Sequence, residues 1–221
     1  MDRRTFLTGL GACSLQSKLA FSQPIDMCGV PFPDGTVGCR AGMSLHEALA
    51  VRANQRTEVW CWAASLEIIF RANGFIVPQE RFVQAVYGQI VSLPAFTGYS
   101  MSTQLNREWT DLEGKRCQVK IEGLYDHDAG IGSITPAQIV SALRTGRPLL
   151  LCNTHHAMVL GIIDYFPGPQ PSFHAAGLID PWPYQDPSQG GTHGLTDWRD
   201  IIPIEQGGQM RYLALPTFMP A

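Results

Sequence analysis

No stretch of this chain stays apolar for the roughly 18 to 20 residues that a membrane-crossing helix needs, so no membrane span is expected. Lysine and arginine never run beyond adjacent pairs, only 16% of residues are charged and the formal net charge is -3. With no basic patch there is no electrostatic footprint for nucleic acid or for an anionic membrane surface. No internal repeat or low-complexity tract is present, which excludes a solenoid or a disordered array. Neither a Cys-x-x-Cys nor a His-x-x-His pair occurs, so Cys152, His155, His156 and His174 lack the spacing of a zinc site. No metal and no cofactor are expected. What remains is an ordinary globular composition: 221 residues at 45% hydrophobic content suffice for one well-packed domain, perhaps of two small lobes, and for a monomer.

The first residues, MDRRTFLTGLGACSLQSKLAFSQ, carry Arg3 and Arg4, then Phe6 and Leu7, then a short apolar segment. This resembles a bacterial twin-arginine export signal, with Asp2 and Thr8 departing from its usual residues. Ala20-Phe21-Ser22 has the small-x-small form of a cleavage site, which makes residues 1–22 the signal and starts the mature chain near Gln23. Export to the periplasm or the medium follows. A second reading takes Leu10-Gly11-Ala12-Cys13 as a lipobox, in which Cys13 would be lipidated and would anchor the domain.

Export permits disulfides, and removal of Cys13 leaves Cys28, Cys39, Cys61, Cys117 and Cys152. Five is odd, so one thiol is expected to stay free. Four cysteines allow three pairings; Cys28 with Cys39 closes a short loop and leaves Cys117 with Cys152, the alternative being buried free thiols.

Residues 23–43 are rich in proline and glycine and read as an irregular arm ahead of a domain over 44–221. SLHEALAVRA has Ser44 as N-cap with Glu47 three residues on. After Cys61, Trp62, Ala63, Leu66, Ile69 and Phe70 recur at helical spacing up to Gly74, which is the pattern of a buried helix. PQERFVQAVYG and STQLNREW supply further helical candidates, and RCQVKIEGL alternates like a strand. Thr135, Pro136 and Gln138 open another capped helix. PLLLCN, HAMVLGIIDYF, AAGLIDPW and MRYLALP are short β-rich runs, Gln185 to Gly194 reads as an exposed loop, and LTDWRDII as a short helix or edge segment. The fold class is α+β: an N-terminal helical half facing a C-terminal antiparallel sheet half.

The chemistry centres on Cys61, because a thiol becomes a nucleophile when a helix N-terminus or a nearby imidazolium lowers its pKa. Taken singly, a cysteine between tryptophans is more often core, and a lone histidine or an Asp-Pro is more often structural. Together they form a pattern. Gln55 supplies a side-chain amide for an oxyanion hole with the Cys61 N–H. His156 opens a β-run and Asp180 closes the next one, so base and orienting carboxylate would meet the nucleophile where the halves join.

QRTEVWCWAAS resembles the active-site helix start of papain-like cysteine peptidases: a glutamine, five residues, then Cys-Trp-Ala-x-Ser. The match falls on Gln55, Cys61, Trp62, Ala63 and Ser65. HHAMVLG is similar to the family's His-Ala strand, and Asp180-Pro181-Trp182 parallels its Asn-x-Trp. The resemblance implies Gln55 as oxyanion donor, Cys61 as nucleophile, His156 as general base and Asp180 as its orienting partner, with Trp182 shielding the His-acid contact. Strand alternation would put His156 with Met158, Leu160 and Ile162, and His155 with Ala157 and Val159 on the opposite face; the His-Ala pairing selects His156. The family's glycine and cysteine before the nucleophile are replaced by Val59 and Trp60, and Asp stands for Asn. The Cys-to-His interval is shorter than the roughly 130 to 150 residues of papain, and few residues lie between the signal and the core, which leaves no room for a long inhibitory propeptide. The chain is thus more similar to bacteriocin-leader-processing peptidases and to effector cysteine proteases of plant pathogens.

The expected function is hydrolysis of peptide bonds in a peptide or protein substrate through a thioester acyl-enzyme, with Trp60, Trp182 and the loop from Ser92 to Ser102 lining the cleft. An acyl transferase or amidase on the same residues, and an inert papain-like binding module, are the alternatives.

Overall fold

A computed structural model describes residues 23–95, 97–182 and 198–221. The export signal, Cys13 and the loop from Gln185 to Gly194 lie outside the described residues. No helix among those described is long and apolar enough to cross a membrane.

The architecture is α+β. Strands β1 (Ile25–Pro31), β2 (Val37–Gly42), β3 (Glu108–Thr110), β4 (Arg116–Asp126), β5 (Ile131–Gly132), β6 (Leu149–Asn153), β7 (Ala157–Phe166), β8 (Ser172–Ile179) and β9 (Met210–Pro220) join in one sheet. Its path is β1-β2-β7-β6-β9-β4-β3, with β5 on β4 and β8 on β7, and every strand pair is antiparallel. The helices are α1 (Leu45–Val51), α2 (Cys61–Ala72), α3 (Gln79–Tyr87), α4 (Thr97–Gln104) and α5 (Pro136–Arg144). Both expected capping boxes form: Ser44 with Glu47 at α1, and Thr135 with Gln138 at α5.

The sheet has a core on each face. On one, α2 buries Trp62, Leu66, Ile69 and Phe70 against Leu150, Val159 and Ala214. On the other, α5 buries Ile139, Val140 and Leu143 against Leu149, Leu151 and Leu160. The pleat explains the division, because alternate residues of β6 and β7 point to opposite faces.

The sheet is larger than a C-terminal half. The arm over 23–43 was expected to be irregular, yet β1 and β2 form a hairpin on the sheet edge. Its glycines and prolines serve the hairpin: Gly29 sits at φ 79° where the register shifts between Cys28 and Val30, and Asp34 Oδ1 accepts from the Thr36 N–H at 3.0 Å in the turn. Cys28 and Cys39 are directly opposed and form a disulfide. The hairpin is joined to the sheet at Arg40 and Asp164, cross-strand partners whose side chains form a two-pronged ion pair at 2.6 and 2.7 Å, with Asp164 fully buried.

The second bridge does not form. Cys117 and Cys152 are buried free thiols. Cys117 is opposite Pro220 and Cys152 is opposite Tyr212 on the same strand β9; at about 3.3 Å per residue they lie more than 20 Å apart along it. A disulfide needs Cα atoms within about 7 Å.

Candidate active site

Cys61 is the first residue of α2, with Trp60 as its N-cap. The first intrahelical bond runs from the Ala64 N–H to the Trp60 carbonyl at 2.9 Å, so the N–H groups of Cys61, Trp62 and Ala63 are the orphan donors of a helix start. The two flanking tryptophans are structural. Trp60 is buried and its indole N–H donates to the Val91 carbonyl at 2.9 Å, while that of Trp62 donates to the Leu93 carbonyl at 3.4 Å. They tie the loop after α3 to the helix start. Trp62 also lines the cleft, together with Pro94, Ala95, Gly98 and Met101 of the expected loop; Trp60 lies behind them.

The sulfur of Cys61 meets β7 where that strand begins. The His156 ring and the backbone N–H groups of Ala157 and Trp62 all act electrostatically on it. His156 in turn directs Nε2 to Asp180 Oδ1 at 2.6 Å, and the same oxygen accepts from the Trp182 N–H at 2.8 Å. The half-exposed Trp182 ring stands edge-on to the His156 ring, centroids 6.3 Å apart.

The electrostatics follow from these contacts. Burial pushes the Cys61 thiol up, but the His156 hydrogen bond, the Ala157 N–H, the imidazolium charge and the Trp62 N–H outweigh it and hold the thiol below its ordinary value. For His156 burial favours the neutral ring, and the contacts with Asp180 and Cys61 overcome it, raising the imidazole to about 9. Both shifts favour thiolate beside imidazolium. The other free thiols go the opposite way: burial, with the charge of Asp111, pushes Cys117 up to about 11, and burial pushes Cys152 well up. Among the described free cysteines the activated one is Cys61.

Comparison with known proteins finds no matching family model, no matching curated protein and no matching solved structure.

His156 reaches Cys61 for a reason other than strand alternation. β7 begins at Ala157, and Met158 and Leu160 lie in the core on the α5 face, away from Cys61, so an extended strand would have turned His156 the wrong way. A tight turn over 153–156 reorients it. Asn153 Oδ1 accepts from the N–H groups of both His155 and His156, at 2.9 and 2.8 Å, and the Asn153 N–H donates to the His156 carbonyl at 3.0 Å. Asn153 Nδ2 faces Asp200 Oδ1 at 3.4 Å. Sequence reasoning passed over Asn153, although an Asn followed closely by His-His is the signature of a side chain capping its own turn. His155 is exposed and lies along the cleft wall.

Gln55 is near the site but differently engaged. Its backbone N–H donates to the Pro181 carbonyl at 2.7 Å, latching the Asp180-Pro181 turn to the segment before Cys61. Its amide Nε2 donates to the carbonyls of Thr57 and Glu58, both at 3.0 Å, which takes up both amide hydrogens. Its Oε1 is buried without a partner among the described residues. In this arrangement the side chain braces the 57–58 turn. The Cys61 N–H has no backbone acceptor among the described residues.

Beside the thiol runs a cleft of about 330 Å³. Cys61 and His156 line it together with Asp126, Arg211 and Tyr212.

Proposed function

We propose that this chain is a cysteine peptidase of papain-like type that hydrolyses peptide bonds through a thioester acyl-enzyme. The observation that carries the reading is the His156 ring sharing the cleft with Cys61 while its Nε2 meets Asp180 Oδ1 at 2.6 Å. That arrangement offers a nucleophile, a proton carrier and an orienting carboxylate from the first residue of α2, the residue before β7 and the residue after β8.

The steps balance around one proton. The Cys61 thiolate attacks the scissile carbonyl, and negative charge gathers on its oxygen within reach of the helix-start N–H of Cys61. His156, already protonated, gives its proton to the leaving amine as the carbon–nitrogen bond breaks. The thioester remains. A water molecule then attacks it while His156 takes a proton from that water, and the acid product leaves as the thiolate and imidazolium are restored. Asp180 fixes the ring through Nε2 so that its other nitrogen, Nδ1, serves the sulfur. The Cys28–Cys39 disulfide supports a place outside the reducing cytoplasm.

The deciding experiment is alkylation of the full chain by iodoacetamide at pH 6, with the adduct mapped by mass spectrometry, alongside hydrolysis of a peptide library. Rapid labelling confined to Cys61, and hydrolysis lost in Cys61→Ala, are expected. Removing a catalytic nucleophile costs several powers of ten, so residual hydrolysis within about tenfold of wild type would rule the peptidase out.

A further inference from the structure

Across the sheet, Ala157, Cys152, Tyr212 and Asp126 occupy one register row over β7, β6, β9 and β4. Ala157 lines the cleft beside Cys61 at one end of the row. Asp126 stands at the other, three strand spacings away, roughly 14 Å at the backbone.

Asp126 is 5% exposed and yet lines the cleft. Its Oδ1 accepts from the Ala129 N–H at 3.1 Å. Among the described residues no donor reaches its Oδ2. The neighbouring cation is already engaged, since Arg211 grips Asp128 through Nε at 2.9 Å and Nη2 at 2.6 Å. Gly98 of α4 leaves the oxygen uncovered, because a Cβ there would stand 2.4 Å from it and 2.5 Å from the Tyr212 ring. Asp126 thus presents to the cleft a carboxylate oxygen that a donor on a bound molecule can reach. Two carboxyl groups, Asp126 and Asp128, share this end of the cleft with one guanidinium, that of Arg211, so the fitting partner is a cation.

We propose that Asp126 forms a specificity subsite for the positively charged side chain of a lysine or arginine in the substrate. The inference rests on the peptidase reading for its connection to Cys61. One or two residues of extended chain, at about 3.4 Å each, together with the long stem of either side chain, bridge the row from sulfur to carboxylate. An ammonium or guanidinium there completes the hydrogen bonding of Oδ2 with a charge-assisted donor.

The test compares acetyl-Lys-Gly-amide with acetyl-norleucine-Gly-amide as protectors of Cys61 against iodoacetamide. The lysine peptide should protect at about tenfold lower concentration, the scale of a hydrogen bond to a charged group, and Asp126→Asn should erase the difference. Equal protection by the two peptides in the unaltered chain, or a lysine preference kept in Asp126→Asn, overturns the subsite. A sluggish Cys61 in the absence of any peptide counts against the peptidase reading instead. In that event calorimetric binding of the same two peptides decides the subsite, equal affinity again overturning it.

Discussion

His156 Nε2 lies 2.6 Å from Asp180 Oδ1, which leaves Nδ1 as the nitrogen that serves Cys61. Asp180 and Cys61 together hold the imidazole at about 9 against the opposing effect of burial. Removing the carboxylate in Asp180→Ala should lower the His156 pKa by about 1 to 3 units, the usual worth of a close opposite charge, and raise that of the thiol. The ring titration followed by NMR, with the pH dependence of alkylation, reads both. An unchanged His156 titration would mean the carboxylate contact is incidental.

The same shift ties stability to pH. The folded His156 pKa lies above the ordinary 6.5, so the imidazolium stabilises the fold in full below pH 6.5, and that contribution is lost as the pH rises through about 9. Urea midpoints between pH 6 and 10 should fall over this window in the unaltered chain and stay flatter in His156→Ala. Equal slopes for the two chains would contradict the assignment.

The neighbouring histidines should separate cleanly. His156→Ala removes the ring that bonds the sulfur, so the thiol should return toward an ordinary value near 8.5 and hydrolysis should collapse. His155→Ala leaves that bond in place; because His155 borders the cleft, its loss should alter KM more than the alkylation profile. The reverse pattern would assign the base to His155.

Asn153 makes a sharper case for the turn over 153–156. Asn153→Ala deletes the acceptor shared by the His155 and His156 N–H groups and should cost about 1 to 3 kcal/mol of stability. It should also raise the apparent pKa of Cys61, since the His156 ring loses its fixed approach. A merely structural residue would lower the melting temperature and leave the alkylation profile where it was.

Local signals were the legible ones. The capping residues Ser44 and Thr135, the apolar period after Cys61 and the order of Gln55, Cys61, His156 and Asp180 depend on neighbours in the chain, so elements and a set of candidates could be drawn from them. What depends on partners far along the chain could not. The proline and glycine of the 23–43 arm gave no hint that Arg40 would find Asp164, and equal counting of cysteines could not reveal that β9 keeps Cys117 and Cys152 apart. Alternation also misled: applied through His156 it assigns the wrong face, because the Asn153 turn ends the strand at Ala157. Asp126 carried no local motif at all, and only the row across four strands brings it to the cleft.

Gln55 offers two roles that one measurement can part. An oxyanion donor acts only in the transition state, so its loss should reduce kcat by roughly a hundredfold to a thousandfold with stability untouched. A brace acts in the resting fold: with Nε2 given to the Thr57 and Glu58 carbonyls, its loss leaves two acceptors unpaired next to the helix start. The geometry favours the brace, so Gln55→Ala should lower stability by about 1 to 3 kcal/mol and lower turnover with it, as the 57–58 turn loosens and Cys61 drifts from His156. Thiol reactivity should fall in step. A hundredfold loss of kcat with unchanged melting temperature and unchanged alkylation would show instead that substrate draws the amide away from the turn and into the oxyanion hole.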